Sequence, residues 1–337
     1  MSIKLSICIP TFERAKHLNN CLNSILLAKK AHGFEYEICI SDNGSTDNTE
    51  VIVKDYIDKL PIKYSKNSNN LGIPRNFLKV VSIANGEFAW LLGDDDLLMP
   101  DVFLQIANLF ERNQTCDFFY INSNHLTTEY VFNHNQPFDT KNLPITMIPV
   151  SKYKVTGPLP FIDLINPKIS FDFLGGMFHS IFKRKNWVNN QDILDSEAIE
   201  DMNTFSHFDN TFPHVKIFSK AFANSNAYFL AKPLSVCLSG AREWSPMYPF
   251  VHSVRLVEAL DEYRKNGLPF IKYLWCRNFA LNSFIPDFVS MYIFRDVSGF
   301  KYIKPLKLIL NNCIFPNFYF SIIFYLKRKI RNFISKF

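Results

Sequence analysis

The residues best suited to chemistry are three consecutive carboxylates, Asp94-Asp95-Asp96, which follow the apolar run Phe88-Ala-Trp-Leu-Leu92 after a single Gly93. The pair Pro100-Asp101 then marks a helix start. Adjacent carboxylates repel one another unless positive charge sits among them. A hard divalent cation, Mn²⁺ or Mg²⁺, suits such a cluster, because it takes a few protein carboxylates and completes its shell with phosphate and water. A solvated acidic turn capping the next helix fits the same residues, since Asp also favours a helix N-terminus. The run alone does not separate the two.

The elements that must position it decide more. Lys4–Pro10 reads as a first strand, Thr11–Arg14 as the loop after it, and Ala15–Lys30 as an amphipathic helix. A second strand, Tyr36–Ser41, empties into Asp42-Asn-Gly-Ser-Thr-Asp47, and a helix over 48–60 follows. Ile62–Ser65 is a short third strand; a polar loop over 67–76 leads into a helix over 77–84, and Phe88–Leu92 is the fourth strand. This strand-loop-helix repetition predicts an α/β fold with a doubly wound, mostly parallel, Rossmann-like sheet flanked by helices. Its polar loops gather at the C-terminal edge of the strands, where such sheets bind ligands. Thr11, Asp42, Arg75 and Asp94–Asp96 are therefore expected in one crevice.

Beyond this, the pattern gives a helix over 100–110, a strand over 116–121, and a short helix over 161–166. A strand over 171–182 contains Gly175-Gly176, where backbone must approach something closely or the strand bulges. A helix over 212–223 and two short strands, 227–230 and 234–238, come next, with helical pattern from Tyr248 onward. Residues 125–156 read only as a long hairpin or loop excursion.

The chain has 337 residues, 47% of them hydrophobic and 15% aromatic, ample for a packed core and against disorder. One large domain with an appendage, or two domains, is expected at this length. The net charge of +6 is concentrated at one end: Val297–Phe337 carries eight lysines and arginines and no carboxylate, so the body before it is slightly acidic. That argues against a nucleic-acid partner, whose basic patch would lie on the folded body, and toward an anionic membrane surface at the C-terminus. Seven scattered cysteines without a C-x-x-C pair read as reduced thiols of a cytosolic protein. No secretory signal stands at the N-terminus, and no window has the roughly 18–20 apolar residues needed to span a bilayer.

Four motifs, in order, resemble the family-2 glycosyltransferases with the GT-A nucleotide-sugar fold. They are Ile9-Pro10-Thr11, Ser41–Asp47, Asn70-Leu-Gly72 with Arg75-Asn76, and Gly93–Asp96 with Pro100-Asp101, covering about the first 110 residues. Thr211-Phe-Pro-His214 and Lys232-Pro-Leu-Ser-Val236 are similar to the abequosyltransferase branch, which adds dideoxyhexoses to lipid-linked O-antigen units. The resemblance implies an inverting hexosyl transfer from a CDP-, UDP- or dTDP-linked sugar to a lipid-linked glycan, with Mn²⁺ or Mg²⁺. It implies that Pro10, Thr11, Glu13, Asp42, Arg75 and Asp94 bind the nucleotide and that Asp95 and Asp96 hold the metal. Gly93 stands where the family's Asp-x-Asp-Asp pattern has its first Asp, which leaves a shift of one position open.

Inversion requires a general base for the acceptor hydroxyl. The family normally supplies the Asp of a Glu-Asp pair at a helix start, where this chain has Pro213-His214; an imidazole has a suitable pKa, so His214 is the first expectation. Asp209 and Asp201, of the literal pair Glu200-Asp201, are the other candidates. Arg242 and Trp244 would clamp diphosphate and cover the sugar from a loop. The implied organisation is a GT-A domain over 1–240, with a nucleotide half (1–122) and an acceptor half (123–240), then a basic, helical, membrane-associating region (241–337). The aromatic-aliphatic run 315–326, bounded by cations, suits an interfacial helix, placing the protein on the cytoplasmic face of the cell membrane as a peripheral protein. Two other readings stay open: a nucleotidyltransferase, although Pro10–Arg14 lacks the Gly-rich, Lys-bearing loop it needs, and a nucleotide-sugar-binding module without turnover.

Overall fold

The computed structural model describes residues 2–28, 34–240 and 242–334, with side chains through Ile330. The last residues of the expected first helix, Lys29 and Lys30, lie outside the described residues, as do the side chain of Arg331 and all of Lys336. Among the described residues ten strands form one sheet: β1 (Leu5–Thr11), β2 (Tyr36–Asp42), β3 (Ile62–Lys66), β4 (Phe88–Leu91), β5 (Leu97–Leu98), β6 (Phe118–Thr127), β7 (Ile148–Pro149), β8 (Gly157–Pro160), β9 (Ser180–Lys183) and β10 (Asn226–Ser239). Their order is β3-β2-β1-β4-β9-β6-β10-β5, with β7 on β6 and β8 on β10. The first four run parallel, as the repetition in sequence requires. β9 enters antiparallel between β4 and β6, β10 lies parallel to β6, and β5 closes that edge antiparallel.

Helices α1 (Ala15–Ala28), α2 (Thr49–Ile57), α3 (Ile73–Ser82) and α4 (Val102–Arg112) connect the strands of the first half. All seven residues of β1 are buried, because helices cover both faces of the sheet. Alternate residues of β4, with Leu92 just after it, serve two cores: Trp90 and Leu92 pack with Leu5, Ile7 and Ile9, whereas Ala89 and Leu91 pack with Cys8 and the second half of the chain. The Trp90 indole donates to Phe178 O at 2.8 Å and ties β4 to the segment before β9.

Several elements differ from expectation. α3 starts at Ile73 with Pro74 in its first turn, so Arg75 and Asn76 stand on the helix, not in the loop. Of the strand expected over 171–182, only Ser180–Lys183 is extended. Phe173 and Leu174 are both wholly buried with φ of 51° and 70°, a region that non-glycine residues rarely occupy. Packing holds them there: Tyr263 Oη donates to Phe173 O at 3.1 Å, and Leu174 N donates to Ser170 Oγ at 3.1 Å. The two short strands after 226 are one strand, β10, with a register break between Leu230 and Ser235. Within 125–156 lie the end of β6, a helix over Thr128–Phe132 and β7.

All seven cysteines are free thiols. The helices Leu256–Lys265, Phe270–Ala280 and Phe284–Ile293 close one face of the sheet, sharing their core with Phe118, Phe161 and Phe218.

Candidate active site

The carboxylates lie where β1 and β4 end together. Leu92 N donates to Cys8 O at 3.0 Å, so the chain leaves the sheet only after Leu92. Thr11 Oγ1 donates to Asp94 Oδ2 at 2.8 Å. Arg14, from the loop after β1, reaches Asp94 Oδ1 with Nη1 and Asp95 Oδ2 with Nη2, each at 3.3 Å. The positive charge that three adjacent carboxylates require is thus present in the protein itself.

Gly93 N donates to Asp96 Oδ2 at 3.0 Å, and a Cβ on Gly93 would lie 2.8 Å from both Asp95 Oδ1 and Asp96 Oδ2. Gly93 is the residue that lets the run fold back on itself. Burial drives the Asp94 carboxyl up, against the pull of Arg14, and drives Asp96 well above the usual range with the Asp95 charge adding to it. Asp96 Oδ1 is buried and has no hydrogen-bond partner. Among the described residues no three His, Cys, Asp or Glu side chains converge to enclose a cation. Hard oxygens with one left orphaned nevertheless fit a cation that draws most of its shell from phosphate and water.

The loops beside this point are pinned to one another. Glu13, with φ 54°, accepts from Thr46 N at 2.7 Å and from Thr46 Oγ1 at 2.9 Å, joining the loop after β1 to the loop after β2. Asp47 Oδ2 accepts from Ala15 N at 2.9 Å, and its Oδ1 accepts from Thr49 Oγ1 at 2.6 Å, so one carboxylate holds the starts of α1 and α2. Asn43 Nδ2 donates to Asn70 Oδ1 at 2.8 Å and Asn43 Oδ1 accepts from Leu71 N at 2.9 Å, which binds the loop after β3 as well. Asn76 on α3 bonds both the hydroxyl and the carbonyl of Ser41.

Asp42 departs from its expected role. It is wholly buried, with Oδ1 accepting from Ser45 N at 2.8 Å and Oδ2 from Tyr64 Oη at 2.6 Å, so it orders the loop and does not face the crevice. Pro10 is buried in β1. Arg75 is half-buried on the first turn of α3, and its guanidinium makes no ion pair among the described residues.

From the opposite side, Arg242 Nη2 donates to Cys237 Sγ at 3.4 Å and Nη1 to Tyr248 Oη at 3.2 Å, while its guanidinium lies 5.4 Å from the Trp244 ring. Its charge acts on Asp96, which brings β10's end to the carboxylates. Trp244 in turn packs on Phe205 at 5.1 Å between ring centres.

The three base candidates are separated by their surroundings. His214 is 2% exposed, and its Nε2 lies 3.0 Å from Gly175 O; burial lowers its pKa to about 4. Asp209 is buried, paired with Lys216 Nζ at 2.6 Å and accepting from Asp195 N at 2.7 Å. Both are held inside the fold, contrary to a base waiting for an acceptor. Asp201 is different: its side chain is 25% exposed at the end of the helix Ser196–Glu200, where its Oδ1 accepts from Asn203 N at 2.8 Å and from Asn203 Nδ2 at 2.7 Å. The next residue, Met202, puts Sδ 3.3 Å from where a Cβ on Gly72 would be, and Phe205 carries Trp244. Asp201 thus stands on a loop that runs from the loop after β3 to the Arg242 side.

Sequence reading missed Arg14 and Tyr64. Arg14 was signalled by the demand for a cation near three carboxylates. Tyr64 was signalled by register, since Ile40 pairs with Tyr64 and Asp42 lies two residues on along the same face. A separate cavity of about 630 Å³ opens beside residues 143–154, lined in part by Lys152, Lys154 and Lys232, the last of which is paired with Asp101.

Comparison with known proteins agrees with this geometry. The model of glycosyl transferase family 2 matches residues 6–158, the span from β1 into β8. The abequosyltransferase RfbV of Salmonella typhimurium is 32% identical over 253 residues, covering 69% of this chain and 66% of that protein. The poly(ribitol-phosphate) beta-glucosyltransferase of Bacillus spizizenii is 28% identical over 239 residues, 69% of this chain but 31% of that protein. The chain therefore spans two thirds at most of these relatives' length. Among solved structures, residues 1–349 of S. aureus TarS in complex with UDP superpose with a TM-score of 0.54 at 19% identity, over 84% of this chain and 72% of that one, which shows a shared GT-A-like fold. From the match across the carboxylate loops, and from the relative that follows it through most of the sequence, the chain belongs to glycosyl transferase family 2.

Proposed function

We propose that the protein is an inverting glycosyltransferase that moves a sugar from a nucleoside diphosphate to a lipid-linked glycan, in the assembly of O-antigen or a related bacterial surface polysaccharide. The observation that carries this is the meeting of Thr11, Arg14 and the buried Asp94–Asp96 at the joint ends of β1 and β4. A transferase needs such a focus of charge where a diphosphate leaves.

Pro10, Thr11, Glu13, Arg75 and Asp94 line the nucleotide, and Asp42 holds the loop that meets its base. This assigns residues 1–122 to the nucleotide and 123–240 to the acceptor. Asp95 and Asp96 would hold a divalent cation, Mn²⁺ or Mg²⁺, which when bound would supply positive charge beside the diphosphate. Arg242 adds hydrogen bonds to the same phosphates, and Trp244 covers a sugar face. Asp201 takes the proton of the acceptor hydroxyl as its oxygen bonds to the anomeric carbon, while the bond to the phosphate oxygen breaks and leaves its electron pair on the diphosphate.

CDP-, UDP- and dTDP-sugars are the donors to try. The abequosyltransferase relative supports a dideoxyhexose, and the UDP complex of TarS supports a pyrimidine nucleotide. Lys152 and Lys154, which line the separate cavity and are in no ion pair among the described residues, support an acceptor that carries phosphate. Such an acceptor resides in the cell membrane, so the protein works on its cytoplasmic face as a peripheral protein, held by residues 241–337.

The test is donor hydrolysis and binding with that panel of nucleotide sugars plus GDP-sugars, in Mn²⁺, Mg²⁺ or EDTA, beside Asp95→Asn. Metal-dependent turnover of one donor, lost in the variant, is the expected result. A folded protein that binds none of them with either metal removes the proposal.

A further inference from the structure

Of three helices at the C-terminal end, Phe284–Ile293 and Pro316–Ile334 pack on each other through buried Phe284 and Phe318, and Pro305–Asn312 between them is tied to the helix Phe270–Ala280 by Arg277 Nη2, which donates to Asn312 Oδ1 at 3.3 Å. The Phe284 and Phe318 rings lie 4.9 Å apart, and Ile285 N donates to Ser321 Oγ at 3.2 Å. Their inner faces are thus satisfied by the fold, yet their outer faces are also apolar. Leu306, Leu310 and Ile314 are 72%, 60% and 76% exposed, and Ile323, Leu326 and Ile293 are exposed beside them. Monomeric soluble proteins rarely leave apolar surface of this extent uncovered.

The charges around it indicate what covers it. Lys301, Lys304, Lys307, Lys327 and Lys329 are all exposed, none is in an ion pair among the described residues, and no carboxylate follows Asp296. A second copy of the same surface would bring like charges together. Anionic headgroups meet the lysines while acyl chains meet the leucines and isoleucines, and Tyr292, Tyr319 and Tyr325 suit the boundary between them. No single helix among the described residues is long and apolar enough to cross a membrane, and the pair Pro305–Asn312 and Pro316–Ile330 bends by 99° at its break. Short helices that expose an apolar face beside unpaired cations suit the membrane interface.

We propose that these three helices together form a docking surface for an anionic lipid bilayer, resting on the reading of a membrane-borne acceptor given above. The surface is larger than the single C-terminal helix that the sequence suggests, and it is joined to the site. A Cβ on Gly299 (φ 80°) would lie 2.9 Å from Met247 Cε, and Tyr302 packs on Phe250 with ring centres 6.0 Å apart. Met247 and Phe250 follow shortly after Arg242 and Trp244, so the connection between the first two of these helices, residues 294–304, packs on the segment that carries them.

The test is co-sedimentation of the full chain with vesicles of phosphatidylglycerol and phosphatidylcholine, against phosphatidylcholine alone, at low and high salt. Binding is expected only with the anionic vesicles. It should weaken roughly tenfold or more in Lys327→Gln/Lys329→Gln, and further in Ile323→Asp/Leu326→Asp, whose folding is checked by circular dichroism and by unchanged hydrolysis of soluble donor. Equal binding to neutral vesicles, or no binding to either with a dimer in sedimentation velocity, overturns the proposal. A protein that docks but hydrolyses no nucleotide sugar keeps this surface and loses the transferase reading; one that hydrolyses and does not dock does the reverse.

Discussion

Arg14 Nη1 lies 3.3 Å from Asp94 Oδ1, bringing the loop after β1 onto the loop after β4, with the guanidinium three-quarters buried. The ion pair stands in for part of the charge that a metal and its diphosphate would balance. Arg14→Met should therefore lower stability by about 2 kcal/mol, less than the 3–5 typical of fully buried pairs because Arg14 keeps some exposure. Thermal unfolding should recover part of the loss when Mn²⁺ is added. A variant as stable as the parent would show that the pair contributes nothing.

Asp201→Asn should reduce kcat by roughly 10²–10⁴ with donor binding unchanged, because a general base is worth that much and does not hold the nucleotide. His214→Gln should change kcat far less. Steady-state kinetics with donor affinity measured separately decides between them; the reverse pattern would return the base to His214.

His214 has its own signature. Its pKa falls from the ordinary value near 6.5 to about 4 in the fold, so below that ordinary value the unfolded chain binds the extra proton first. Stability should then rise with pH between about 4 and 6.5, at about 1.4 kcal/mol per pH unit from this group. Urea unfolding at several pH values should show a shallower slope in His214→Gln. An identical slope would mean that His214 is not the buried neutral group described here.

Tyr64→Phe removes the donor to a wholly buried carboxylate oxygen of Asp42. A loss of about 1.5–3 kcal/mol is expected, together with weaker donor binding as the loop over 42–47 loosens. Calorimetric titration with the donor identified in the panel would reveal a variant whose affinity is intact.

Gly93→Ala places a methyl 2.8 Å from two carboxylate oxygens. The carboxylates must move apart, so metal-dependent hydrolysis should fall by at least tenfold while the fold persists, at a cost of about 1–3 kcal/mol. Unchanged metal dependence would separate the Gly93 turn from the metal site.

Local pattern in the sequence determined the parallel half of the sheet, the order of its loops, and the carboxylates at the end of β4, because strands buried on both faces are continuous apolar runs and polar loops must fall between them. The basic, carboxylate-free tail was equally legible, since charge needs no fold to be counted. Which group stands against which was decided only by the tertiary structure. Arg14 meeting Asp94, Tyr64 closing off Asp42, and the burial of His214 against Gly175 all depend on long-range packing. The bends at Phe173 and Leu174 defeat strand periodicity for the same reason: contacts from Tyr263 and Ser170 impose a backbone that the local residues disfavour. The apolar faces of the last helices show the division in one place. Composition made them apolar, but only packing determined which side was used by the core and which was left exposed.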